Sequence, residues 1–98
     1  MNEVNLVNST IKTIFTEPKL NKVLCSLYDN ELKPFEISSL LSIELHIVNS
    51  YLLQLYNAGL VIKKIRDGEE HYTLTNTKVC DALLMLKDEL FKTLRIKD

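Results

Sequence analysis

A single Asp67-Gly68 pair constrains this chain more than any other feature. It stands between Leu60-Val61-Ile62-Lys63-Lys64-Ile65-Arg66 and Glu69-Glu70-His71-Tyr72-Thr73-Leu74. Asp-Gly between two β-rich runs signals a two-residue hairpin turn, because both central residues of that turn need positive φ. Elsewhere the apolar residues recur at helical spacing. Only two glycines and two prolines punctuate all 98 residues. A chain of this length builds one domain around one modest core. The expected architecture is mostly α with one hairpin, in the order α-α-α-α-β-β-α.

The first helix, about residues 3–15, places Val4, Val7, Ile11, Ile14 and Phe15 on one stripe. Thr16-Glu17-Pro18 then stops and restarts the chain, with Thr16 as the expected N-cap and Pro18 in the first turn, where its missing N–H is harmless. The second helix turns Leu20, Val23, Leu24, Leu27 and Tyr28 inward and closes at Asp29-Asn30. Pro34 opens a third helix through Leu41, with Ile37, Leu40 and Leu41 inward. Ser42-Ile43-Glu44 reads as a tight turn. A fourth helix, from about Leu45 to Asn57, buries Val48, Leu52 and Leu55 and ends at Gly59, the position where a left-handed residue satisfies the last carbonyls. After the hairpin, a long helix runs from Thr75 to about Leu94. Val79, Leu83, Leu86 and Leu90 form its seam, and Ala82, Leu84, Met85, Phe91 and Leu94 widen its apolar surface. Two short helices across a tight turn, followed by a hairpin, make a helix-turn-helix (about 34–58) with a wing (about 60–74).

Charge narrows the partners. Twelve Lys and Arg balance thirteen Asp and Glu, so the basic excess that usually accompanies duplex binding is missing in bulk. Between Lys33 and Lys63 there is no Lys or Arg at all. No basic n-region leads into an apolar stretch, and no apolar run is long enough to span a membrane. Two cysteines are too few for a disulfide scaffold or a four-thiolate zinc site. The expected address is the cytosol with reduced thiols.

From Thr16 to Val61 the chain resembles the ArsR/SmtB family of winged helix-turn-helix repressors. The likeness is carried by Thr16-Glu17-Pro18, Val23-Leu24 with Leu27, Glu36-Ile37-Ser38-Ser39-Leu40-Leu41, and Val48, Leu52 and Leu55 before Ala58-Gly59-Leu60-Val61. Tyr72-Thr73-Leu74-Thr75 matches the second wing strand. These anchors are chiefly packing residues, more specific for fold than for function. The resemblance implies a homodimer paired through the first and last helices (about 3–15 and 75–94), with Val4, Val7, Ile11, Leu83, Leu86 and Leu90 at the seam. It also implies recognition helices set in successive major grooves.

On that reading the exposed positions of the recognition helix are Leu45, His46, Ile47, Asn49, Ser50, Leu53 and Gln54. Asn and Gln pair with adenine, Ser with phosphate or base, and apolar groups meet a thymine methyl. The family sets a basic residue where Ser50 or Leu53 stands here. Phosphate contacts then fall to Lys63, Lys64 and Arg66 on the wing, helped by Lys33 or Lys19; the alternative is that the trio only solvates a strand edge.

The family's metal sites use cysteines on the helix before the turn or Asp and His on the last helix. Here those places hold Phe35-Glu36-Ile37-Ser38-Ser39 and a last helix without histidine, so no metal is expected. His46 and His71 lack ligand spacing and read as solvated. Leu24-Cys25-Ser26-Leu27 resembles the second-helix cysteine of the family's thiol-sensing branch. Its partner there aligns with Phe91, about three turns beyond Cys80, so spacing does not support a Cys25–Cys80 switch, and a buried Cys25 is the alternative. Nothing suggests catalysis or a cofactor: two glycines cannot make a phosphate-binding loop, and no nucleophile–base constellation is present.

Three functions remain open. The first is a homodimeric double-stranded-DNA-binding repressor without a metal site, reading an inverted repeat. The second is a centromere-binding adaptor of a plasmid or phage partition system that recruits a tubulin-like filament. The third is a winged-helix protein-interaction module without DNA affinity, docking through Leu45, Ile47 and Leu53.

Overall fold

Helix boundaries follow the punctuation. The computed structural model describes residues 8–9, 12–14 and 16–94. Before Glu17 the described backbone is helical, and Glu17 breaks it at φ −118° and ψ 88°. Pro18 takes the first position of α1 (Pro18–Ser26). Thr16 does not cap this helix: it is still helical, and its hydroxyl donates back to the Lys12 carbonyl at 2.8 Å. A side chain engaged with the preceding turn is not free to serve the next one.

Lys33 donates its backbone N–H to the Glu36 carboxylate at 2.8 Å. That contact is one half of a capping box and starts α2 (Pro34–Leu41). Ser42 then turns left-handed at φ 55°, and the Ser38 hydroxyl donates to the Ile43 carbonyl at 2.6 Å to hold the turn. The next helix, α3 (Leu45–Asn57), lays Val48, Leu52 and Leu55 into the core. Leu40 departs from expectation and is 63% exposed. An eight-residue helix buries one narrow stripe, and Ile37 occupies it.

Gly59 follows α3 at φ +78°. The N–H of Leu60 bonds to the Leu55 carbonyl at 2.9 Å and that of Gly59 to Tyr56 at 3.0 Å. This is the Schellman arrangement, and it needs a left-handed residue at Gly59. A Cβ there would meet nothing within 4 Å, so the penalty for alanine is purely conformational. Gly59→Ala is expected to lower stability by about 1 kcal/mol, read as a shifted urea midpoint with unchanged slope.

The hairpin pairs β1 (Val61–Arg66) with β2 (Glu69–Leu74), in register from Val61 opposite Leu74 to Arg66 opposite Glu69. Asp67 at φ 54° and Gly68 at φ 77° make the expected primed turn. A third partner joins outside the hairpin. Leu32, in the loop between α1 and α2, exchanges backbone hydrogen bonds with Tyr72 at 3.0 and 2.8 Å.

The last helix, α4 (Thr77–Leu94), begins two residues later than expected, because the Thr75 N–H still bonds to the Leu60 carbonyl at 3.0 Å. Asn76 supplies the cap instead, accepting from the Lys78 N–H at 2.9 Å. Cys80 is fully buried, and Leu83 packs half-buried against the chain's own core. Tyr28, at the end of α1, donates its hydroxyl to Asp81 at 2.8 Å and ties the two helices together. Leu84, Met85 and Leu86 stand exposed. Val4, Val7 and Ile11, and the side chain of Leu90, lie outside the described part of the molecule. No helix among the described residues is long and apolar enough to cross a membrane.

Candidate nucleic-acid interface

The core stripe of α3 fixes what its other side presents. With Val48, Leu52 and Leu55 inward, His46, Asn49, Ser50, Leu53 and Gln54 are exposed, as is Leu45 at the first position. Ile47 is the exception: it lies half-buried against the core cluster. It sits one step from Val48, at the margin of the stripe, where the surrounding helices reach it. Gln54 turns to one flank, lining a shallow pocket with Ser9, Thr13, Ile14 and Leu20. Tyr56 turns to the other, its ring 5.4 Å below the Lys63 ammonium. Recognition helix and wing thus form a continuous surface, joined by a cation–π contact.

The chemistry of that surface is polar but not basic. His46 Nδ1 lies 3.3 Å from the Glu44 carboxylate at the start of α3. Residues 31–74, which hold the entire helix-turn-helix and wing, contain four Lys and Arg against six Asp and Glu. The segment is therefore acidic by two charges, histidines aside.

The wing cations are all engaged. Lys33 pairs with Glu69, and the ammonium holds that carboxyl below the usual carboxylate range. Lys63 lies 3.9 Å from Glu70. Glu70 also accepts from the Tyr72 hydroxyl at 3.0 Å; burial first, and this bond second, push the Tyr72 phenol up to about 12. Lys64 and Arg66 converge on Glu31, whose carboxyl the guanidinium holds down. Sequence reasoning found the three wing cations but not Glu31, which is remote in sequence.

Cys25 and Cys80 are neighbours in the fold, a placement that their spacing along the chain does not reveal. Burial pushes the Cys80 thiol up to about 12, and the nearby Cys25 raises it further. Cys25 is half-buried and donates to the Asn21 side chain at 3.2 Å. A thiol held protonated by burial is a weak nucleophile. Among the described residues no three His, Cys, Asp or Glu side chains converge to hold a metal ion.

A family model described as the TFIIE alpha subunit matches residues 5–97. Among solved structures, HlyU from Vibrio cholerae N16961 is 30% identical, with a TM-score of 0.70, and the match covers 92% of this chain and 96% of that one. The homodimeric winged helix-turn-helix DNA-binding domain Mb0332 from Mycobacterium bovis superposes with a TM-score of 0.76 at 15% identity, over 93% of this chain and 83% of its own. An ArsR-like transcriptional regulator from Rhodococcus sp. RHA1 gives 0.70 at 15% identity, over 97% and 92%. No curated protein sequence matches the chain significantly. The fold is that of the winged helix-turn-helix proteins.

Proposed function

This chain belongs to the TFIIE alpha subunit family and has HlyU of Vibrio cholerae as a relative, and on that premise we propose that it is a homodimeric winged-helix transcription regulator, a repressor, that binds double-stranded DNA. The observation that carries the reading is the continuous surface from the outward row of α3, through Tyr56, to Lys63 on the wing. His46, Asn49, Ser50 and Gln54 supply hydrogen-bonding groups for base edges, while Lys63, Lys64 and Arg66 supply phosphate contacts. Ile47 contributes packing beneath that row more than contact.

The test is binding to a fluorescent duplex library, including DNA upstream of the chain's own gene, at two salt concentrations. Wild type is expected to bind selectively and to weaken with salt. Lys63→Ala/Lys64→Ala/Arg66→Ala is expected to lose at least about tenfold in affinity, with the salt slope falling by up to about 0.9 for each phosphate contact removed. A folded dimer that binds no duplex selectively sinks the reading. Footprints clustered in tandem would instead single out the partition-adaptor role. One observation favours a protein-docking role: Phe35, Leu40 and Leu53 are 69%, 63% and 59% exposed on the helix-turn-helix. Binding to DNA unaffected by loss of the wing cations would likewise count against the interface as drawn.

A further inference from the structure

We propose that Glu31 is a built-in counterion that competes with DNA phosphate for Lys64 and Arg66, and so sets how tightly the wing grips a duplex. The inference rests on the DNA-binding reading above and names the residue that tunes it.

Arg66 offers both Nε and Nη2 to the two oxygens of Glu31, the second at 3.3 Å. Lys64 Nζ lies 3.5 Å from the same carboxylate. A forked guanidinium–carboxylate pair belongs to the stronger class of ion pair. The acid is the more sheltered member, its side chain 26% exposed against 58% for Arg66 and 43% for Lys64. Its backbone is pinned on both sides. Leu32 is bonded to Tyr72 in both directions, and the Thr73 hydroxyl donates to the Asn30 carbonyl at 2.9 Å. Glu31 is therefore held beside the wing when DNA arrives. The cations must leave it, and they can, because exposed lysine and arginine stems are mobile and exposed pairs are weak.

With Lys33 held by Glu69 and Lys63 by Glu70, every Lys and Arg between residues 31 and 74 is already paired. Each phosphate contact thus exchanges one anion for another instead of neutralising a free cation. Affinity falls and the salt dependence flattens, because the carboxylate left behind takes up cations against those that the DNA releases. A merely structural Glu31, fastening the loop to the wing, predicts the opposite: its loss would loosen the wing and weaken binding.

The experiment compares Glu31→Gln with wild type on duplex DNA across salt, with thermal melts as the check on folding. Asp29→Asn is the control. It removes one negative charge from the same loop, at a residue in no ion pair among the described residues and with a left-handed backbone that Asn tolerates. Glu31→Gln is expected to tighten binding about three- to tenfold at low salt and to steepen the salt slope by up to about 2 per protomer, with Asp29→Asn giving clearly less. Binding by Glu31→Gln where wild type shows none supports the proposal equally. Unchanged or weaker binding by Glu31→Gln, beside a wild type that binds, overturns the counterion role and leaves the DNA reading standing. No binding by either overturns both. Glu31→Ala is read the same way should the amide not fold.

Discussion

Replacing Leu52 by alanine is expected to remove about 2–5 kcal/mol of folding free energy. Leu52 is 1% exposed in the middle of α3, between Val48 and Leu55, and α3 packs against α1, α2 and β1 together. The void would therefore open where four elements meet, and no one of them can move in without leaving the others. For a domain of this size, each kcal/mol corresponds to roughly 4–8 °C in Tm, so a fall of roughly 8–40 °C is expected in a circular-dichroism melt. Both proteins must be melted at one concentration, since self-association raises Tm by mass action. A fall below about 5 °C would mean that α3 does not anchor the core as described.

What the sequence makes legible here is mostly local. Asp67-Gly68, Gly59, Pro18 and Pro34 each specify a backbone conformation at one point, and each stands where its chemistry requires. Periodicity likewise gives the buried stripes of α1 and α3, because their packing neighbours sit on one side. It fails at the margins. Leu40 and Ile47 both fall near a stripe; one is left outside it and the other is drawn in. Sequence spacing alone cannot say how far a neighbouring helix reaches around. Leu83 shows the same limit: its seam position suits a partner subunit or the chain's own core, and it packs on the latter.

The candidate site was legible as a list of side chains but not as a balance of charge. Lys63, Lys64 and Arg66 announce a basic wing when read along one strand. Their acids come from elsewhere, Glu70 across the hairpin and Glu31 from a loop 35 residues before Arg66. That last contact depends on Leu32 pairing with Tyr72, a bridge of one residue with no pattern to betray it. The nearness of Cys25 and Cys80 is hidden for the same reason, since it depends on how α1 and α4 cross. Local conformation is encoded locally; neutralisation across elements is a property of the assembled fold.

Leu86→Glu is expected to convert the proposed homodimer into a folded monomer. Leu84, Met85 and Leu86 are 53%, 69% and 45% exposed on α4, more apolar surface than a helix facing water needs. Leu86 lies beside the Leu83 stripe, so a partner helix that covers the margin of that stripe covers Leu86 as well. Burying a leucine contributes about 1.5–3 kcal/mol. In a two-fold interface the same residue is counted from both subunits, which makes about 3–6 kcal/mol for one substitution. A carboxylate in place of the leucine adds a desolvation penalty, and its symmetry mate can add repulsion. The dimer Kd is then expected to rise by at least about 100-fold, read as a mass that falls with dilution in sedimentation equilibrium. The Leu86 side chain is already half in water within one chain, so the thermal melt of the monomer should keep its cooperativity. Duplex binding should fall even though no DNA-facing group is touched, because two half-sites joined in one dimer engage the second at high effective concentration and separate monomers do not. A Leu86→Glu protein that stays dimeric at all concentrations would move the seam away from this face of α4.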